Sequence, residues 1–164
     1  QLLDHAMVSF RLDNLSEDEL EIQFLIKDAI DRISPLYDLK GIQIKNNSIQ
    51  NCKVMGDPIL LQNALHNVLD NALKYCSEND TVTVKVKDVS QNCIIEIVDN
   101  GEGFPQNSVL LTNRFTRGEN TKGIVGSGLG LTIAKDVVEA HGGNITISNT
   151  EKGGACVTFT LPCS

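Results

Sequence analysis

The chain has 164 residues, 21 acidic against 14 basic, for a formal net charge of −7. That balance speaks against a binder of nucleic-acid backbones, which needs clustered Lys and Arg, yet it leaves room for a single nucleotide. Apolar residues make up 41%, aromatics only 4%, and Trp is absent, so a domain of this length closes on an aliphatic core and buries roughly 70% of its unfolded surface.

In chain order, "LLDHAMVSFRL" reads as a short helix with apolar residues at helical spacing, and "NLSEDEL" as a polar break. A second helix is expected from about Gln23 to Leu39, with Leu25, Ile26, Ala29, Ile30 and Ile33 as its apolar stripe and Gly41 after its end. Pro35 would kink it. "IQIKN" and "CKVMG" look like short strands. Asp57-Pro58 supplies an N-cap followed by Pro at the first helical position, so a helix should run from about Pro58 to Tyr75. "TVTVKVKD" (81–88) alternates and predicts a strand with one wet face, whereas "CIIEIVD" (93–99) is more continuously apolar and should be central. A polar, Gly-rich stretch from Asn100 to Gly128 follows. A helix from about Leu129 to His141 should end at Gly142-Gly143, before two strands, "NITISNT" and "ACVTFTLP", around the turn "EKGG". Two consecutive final strands favour antiparallel pairing, hence a mixed α+β sandwich and not a doubly wound sheet.

Cys52, Cys76, Cys93, Cys156 and Cys163 are odd in number and contain no C-x-x-C pair. They read as free thiols in a reducing compartment, with no zinc spacing. No apolar run approaches the ~18–20 residues of a membrane span, and the N-terminus lacks a signal-peptide pattern. The chain opens on Gln1 rather than Met, which reads as a piece of a longer protein.

Four stretches carry chemistry. "GIVGSGLGLTIAK" (123–135) places four glycines within eight residues ahead of a helix. Such glycines admit close backbone approach, and helix N-termini attract anions. Counting excludes two common phosphate loops. A dinucleotide fingerprint beginning at Gly126 or Gly128 would need Gly where Leu131 or Ile133 stands, and a P-loop would need Lys and Ser/Thr where Leu129-Gly130 stand. A flexible loop with tight helix packing remains open. In "LHNVLDNALKYC" (65–76), Asn67, Asn71 and Lys74 share one helix face. Two neutral oxygen donors one turn apart suit Mg²⁺ with phosphate oxygens; a solvated polar face is the ordinary alternative. In "VDNGEGF" (98–104), Asp99 ends an apolar strand, and its carboxylate can accept a hydrogen bond from the exocyclic amine of adenine. Asn-Gly is also a common hairpin turn. "LTNRFTRGENTKG" (111–123) gathers Arg114, Arg117 and Lys122; Arg suits phosphate, but a solvated loop looks the same.

In this order the four segments resemble the N, G1, F and G2 boxes of the ATP-binding catalytic domain of sensor histidine kinases, within the GHKL superfamily. "NVLDNALKY", "DNGEGF", "RFTRG" and "GSGLGL" carry the likeness, with "SPLYDLKGI", "HGGNITI" and the final "FTLP" extending it over roughly residues 20–162. The resemblance implies the two-layer α/β sandwich of that superfamily: a mixed, mostly antiparallel sheet with helices on one face. It implies a remnant of a dimerisation helix and linker over 1–19, a catalytic domain over 20–164 and a mobile ATP lid over about 105–126. Asn67 and Asn71 would hold Mg²⁺ and phosphate, Lys74 would contact phosphate, and Tyr75 and Phe104 would line the adenine site. Asp99 would bind the adenine amine beside Gly101 and Gly103. Arg114 and Arg117 would reach the terminal phosphates, and Gly126, Ser127, Gly128, Leu129, Gly130 and Leu131 would wrap them at the helix start. Asn67, Lys74 and Arg117 are the residues expected to act in transfer.

The implied activity is transfer of the ATP γ-phosphoryl group to a histidine on a dimerisation module, with a response regulator downstream, in a homodimeric parent whose catalytic portion is cytoplasmic. This piece alone is expected to be monomeric, and the parent can be membrane-anchored. Two departures stand out. Thr112 and Thr116 occupy positions where the family often carries aromatics. There is also no H-E-x-R-T-P-like box; His5 lacks its acidic residue and its downstream Arg and Pro, and His66 and His141 read as helix-surface and helix-end residues. Relatives that hydrolyse ATP carry Glu where this chain has Asn67. A hydrolase, a regulatory nucleotide-binding module and a serine kinase of the anti-sigma-factor type are the alternative readings.

Overall fold

The computed structural model describes residues 5–104 and 129–164. Eleven elements follow one another: α1 (His5–Asp13), β1 (Asp18–Glu21), α2 (Ile22–Lys40), β2 (Gln43–Asn46), β3 (Lys53–Gly56), α3 (Pro58–Tyr75), β4 (Thr81–Val89), β5 (Asn92–Asp99), α4 (Leu129–Ala140), β6 (Asn144–Asn149) and β7 (Ala155–Pro162). The main sheet has the order β2-β4-β5-β7-β6. Only the β2–β4 pair is parallel; the other three pairs are antiparallel. β5 is central, as its apolar run predicts.

Register explains why the helices lie on one face. Val84, Ile97 and Val157 pair across the sheet, as do Val86, Ile95 and Phe159, and Ile145 and Ile147 continue these rows onto β6. All of them are buried. Their alternates, among them Lys85, Glu96 and Thr158, stay half-buried or exposed. Side chains alternate across a strand, so this pattern assigns one face to the core. The helices supply the other half of that core with Ile26, Ala29 and Ile33 of α2, Leu61, Leu65, Val68 and Leu69 of α3, and Val137 and Val138 of α4.

Helix α2 ends as its sequence demands, with Gly41 in the left-handed conformation at φ 77°. Ile30 of the expected stripe is only partly buried, while Ile22 and Tyr37 extend the buried face. The helix runs unbroken through Pro35. The "NLSEDEL" segment departs from expectation: its last three residues begin β1, which pairs antiparallel with β3 in a separate two-stranded sheet. Backbone pairing in this four-residue ribbon outweighs the polar character of "DELE". β1 also spans the expected 19/20 domain boundary, and Val8 of α1 is buried against the body.

The start of α3 is tied down from three directions. Asp57 caps it, accepting from the amides of Ile59 and Leu60 at 3.0 and 3.2 Å. Arg11 donates through Nε to the same carboxylate at 2.9–3.0 Å, and the Ser16 amide adds a contact at 3.3 Å. From α4's end, His141 Nε2 accepts the Asp57 amide at 3.0 Å, while Nδ1 meets the Val137 carbonyl at 2.7 Å. A carbonyl only accepts and an amide only donates, so the tautomer carrying its proton on Nδ1 satisfies both contacts.

Candidate functional site

At the other end of α3 the chain builds a cleft. Asn71, Ala72 and Tyr75 line it from the helix, Ile97 and Asp99 from β5, and Phe104 from the loop after β5. The sequence produces this junction directly. An apolar strand carries Asp99 inward at its last position, and "NGEG" then turns the chain back over the helix terminus.

Asp99 is 6% exposed. Its Oδ1 accepts from the amides of Gly101 at 2.9 Å and Ala155 at 3.1 Å. Among the described residues Oδ2 accepts no hydrogen bond, so half of the carboxylate is fixed and half remains for a donor. Burial pushes the carboxyl above the ordinary range, the Ala155 and Gly101 amides pull it back, and Asp80 adds to the rise; the net direction is up. Cys76, next along from Tyr75, is driven up to about 12 by burial and by the Asp99 and Asp80 charges.

Two glycines allow this arrangement. A Cβ on Gly101 would stand 3.1 Å from the Tyr75 carbonyl and 3.3 Å from Asp99 Oδ1. A Cβ on Gly154, in the β6–β7 turn, would collide with the Asp99 carbonyl oxygen. That turn therefore packs backbone to backbone against the strand end, which brings the Ala155 amide to the carboxylate. Phe104 is 3% exposed and meets Tyr75 edge to face, with centroids 5.7 Å apart. Asn149 clamps its backbone: the Phe104 amide donates to Oδ1 at 2.8 Å and Nδ2 donates to the Phe104 carbonyl at 2.9 Å. Gly103, at φ 78°, makes the turn that presents Phe104 to this clamp.

The expected residues divide accordingly. Asn71, Tyr75, Asp99 and Phe104 line the cleft, and Gly101 and Gly103 adjoin it. Asn67 lies one helical turn before Asn71, and both are half-buried. Lys74 is more than half exposed and pairs with Asp70 at 3.3 Å instead of facing the cleft. Leu131 is buried in α4; Leu129 and Gly130 form the start of that helix. Arg114, Arg117, Gly126, Ser127 and Gly128, with the expected lid, lie outside the described residues. His66 is half-buried on α3; burial pushes it down against the opposing pull of Asp70. Sequence reasoning missed Asn149, Gly154 and Ala155. Their roles arise from contacts across some 45 to 56 positions, and "SNTEKGG" by itself signals only a turn.

No helix among the described residues is long and apolar enough to cross a membrane. The family described as "Histidine kinase-, DNA gyrase B-, and HSP90-like ATPase" matches residues 56–164. The Sensor protein KdpD of Escherichia coli is 30% identical over 165 aligned residues, covering 98% of this chain and 18% of that protein. The Sensor histidine kinase WalK of Bacillus subtilis is 37% identical over 124 residues, covering 73% of this chain and 20% of that protein. The solved mycobacterial sensor histidine kinase MprB superimposes with a TM-score of 0.74 at 28% identity, covering 90% of this chain and 97% of that one. The chain thus spans about a fifth of the length of these full-length relatives. The buried carboxylate and asparagine cleft on a mostly antiparallel sheet agrees with these matches: the chain belongs to the histidine kinase-, DNA gyrase B- and HSP90-like ATPases, among the ATP-binding domains of sensor histidine kinases.

Proposed function

We propose that this chain binds Mg-ATP and donates the γ-phosphoryl group to a histidine on a separate dimerisation module of the same protein, from which a response regulator takes it. The observation that carries this reading is Asp99, buried, with one carboxylate oxygen held by two amides and the other open beside Asn71. An adenine amine is a suitable donor for that oxygen. Guanine presents a carbonyl at the same position and would be repelled. Tyr75 and Phe104 offer the base an apolar wall.

The donor set fits a hard cation. Asn67 and Asn71 are neutral oxygen donors one turn apart, and among the described residues neither has a hydrogen-bond partner fixing its oxygen elsewhere. Magnesium held there supplies charge neutralisation to the phosphate oxygens when bound. Lys74, once released from Asp70, adds a cation one turn on. Arg114 and Arg117 are the lid cations in this reading, and the amides at the start of α4 receive the phosphates. With Asn at 67, no carboxylate stands where hydrolytic relatives activate water, which supports transfer over hydrolysis.

The test is to mix this domain with an isolated dimerisation hairpin and γ-labelled ATP. Label should appear on the hairpin's histidine and vanish with Asn71→Ala, which should also lose Mg²⁺-dependent binding. Tight nucleotide binding without label would make the chain a regulatory module. Steady ATP turnover abolished by Asn67→Ala would make it a hydrolase.

A further inference from the structure

Three cysteines far apart in sequence meet at the opposite end of the sheet from Asp99. Cys93 is the second residue of β5 and Asp99 its last, six residues and roughly 20 Å away. Cys163 follows β7, its amide bonded to the Gln91 carbonyl at 2.9 Å. Cys52 precedes β3 and is fixed on both sides: its carbonyl accepts the Ile22 amide at 2.9 Å, and the Ser164 amide bonds the neighbouring Lys53 carbonyl at 2.8 Å. Asp88 is the register partner of Cys93 on β4.

The side chains converge. The Sγ atoms of Cys52 and Cys163 and a carboxylate oxygen of Asp88 all lie within 4.8 Å of one another. Cys163 Sγ points at Asp88 Oδ1 at 3.9 Å, and Cys52 Sγ at the Lys87 carbonyl at 3.5 Å. Cys93 lies buried behind them, opposite Asp88 in the sheet register. Around a tetrahedral ion with metal–sulfur bonds of about 2.3 Å, donors stand roughly 3.8 Å apart. The three donors Cys52, Cys163 and Asp88 therefore need a contraction of about an ångström or less. Cys163 is half-buried and Asp88 exposed, which gives an ion a way in, while Cys52 and Cys93 lie inside.

We propose that Cys52, Cys163 and Asp88 form a three-donor binding site for a thiophilic divalent cation of the zinc class, with solvent completing the coordination. Thiols entering coordination release their protons to solvent, and the ion replaces the weak S–H contacts. The site joins the β4–β5 turn, the segment before β3 and the chain's last residues. It is independent of the nucleotide reading.

The experiment titrates the reduced, chelator-treated chain with Cd²⁺, following the ultraviolet thiolate-to-cadmium band, with Zn²⁺ as competitor. One equivalent should saturate the band. Cys163→Ser, at a half-buried position where the fold survives, should weaken binding at least about tenfold, and Asp88→Asn less. Cys156→Ser should leave it unchanged. Zn²⁺ at about a hundredfold over its Kd should raise Tm by roughly 5–10 °C, and not in Cys163→Ser. A missing band, or one that survives the Cys52→Ser/Cys163→Ser double variant, overturns the proposal. So does a metal-free chain carrying a Cys52–Cys163 disulfide, because those thiols would then be a redox pair.

Discussion

Helix α3 begins at one buried aspartate and ends beside another, and the two are opposites. Asp57 is 0% exposed and Asp99 6%, so depth does not separate them. Saturation does. Asp57 receives the Ile59, Leu60 and Ser16 amides and the Arg11 guanidinium, on both oxygens. Burial would raise its carboxyl, but the Leu60 amide, Arg11 and the Ser16 amide outweigh it, and the group sits below the ordinary carboxylate range. Asp99 receives two amides on one oxygen and is held above that range. A buried carboxylate with every lone pair engaged holds structure together; one left half-engaged at the wall of a cleft is set up to receive a ligand.

The comparison breaks most visibly through stability. Asp57→Ala removes a cap and a charge partner, and should cost about 2–4 kcal/mol in urea unfolding. Nucleotide affinity per folded molecule should hold. Asp99→Asn should do the reverse. Its remaining oxygen still accepts from Gly101 and Ala155, so the unfolding midpoint should move little, while calorimetry should record a loss of at least about 1–3 kcal/mol in adenine nucleotide binding. If Asp57→Ala destroys affinity in molecules that remain folded, or Asp99→Asn leaves it intact, the division between the two aspartates fails.

Acid sharpens the same contrast. Asp57, depressed in the folded state, contributes stability above its unfolded value of about 4, and that contribution disappears as pH falls through its lower folded value. Asp99, raised, takes up a proton in the folded state before the unfolded chain does, so its contribution to stability grows as pH falls from the raised value toward about 4. Across that interval nucleotide affinity should fall, because the acceptor loses its charge. Mild acid thus weakens binding before it weakens the fold. Binding isotherms and urea midpoints between pH 7 and 3 test this; affinity that is flat over that range in the unmodified chain, or a pH response preserved in Asp99→Asn, would contradict it.

What could be read from the sequence follows the range of the interactions. Asp57-Pro58 announces a helix start by local chemistry, and Asp99 stands out because it ends an apolar strand before two glycines. The partners of both do not. Arg11 and His141 reach Asp57 across 46 and 84 positions, and Ala155 reaches Asp99 across 56; nothing in "RLD", "AHGG" or "GGAC" announces these contacts. β1 is invisible because a four-residue edge ribbon carries no periodicity long enough to register. The thiol cluster is invisible for the same reason as Ala155: spacing rules out a local motif, and the sheet register assembles a distant one. Lys74 is the converse. Its helical phase places it near Asn71, but a flexible side chain finds the nearest carboxylate, Asp70.

That pairing gives the smallest and most specific expectation. The Lys74–Asp70 contact is an exposed i,i+4 pair, and breaking it by Asp70→Ala should change stability by no more than about 0.5 kcal/mol. If Lys74 serves phosphate, releasing it should tighten ATP binding slightly and leave adenosine binding alone. Lys74→Ala should weaken ATP by up to about 1 kcal/mol, again with adenosine unaffected. Comparing the two ligands separates a phosphate contact from a general effect on the cleft, since adenosine tests Asp99 and the aromatic wall alone. Equal losses for ATP and adenosine in Lys74→Ala would mean that Lys74 shapes α3 and touches no phosphate. No change with either ligand would leave Lys74 as a solvated partner of Asp70 and move phosphate neutralisation, in the proposed reading, to the cation held by Asn67 and Asn71 and to Arg114 and Arg117.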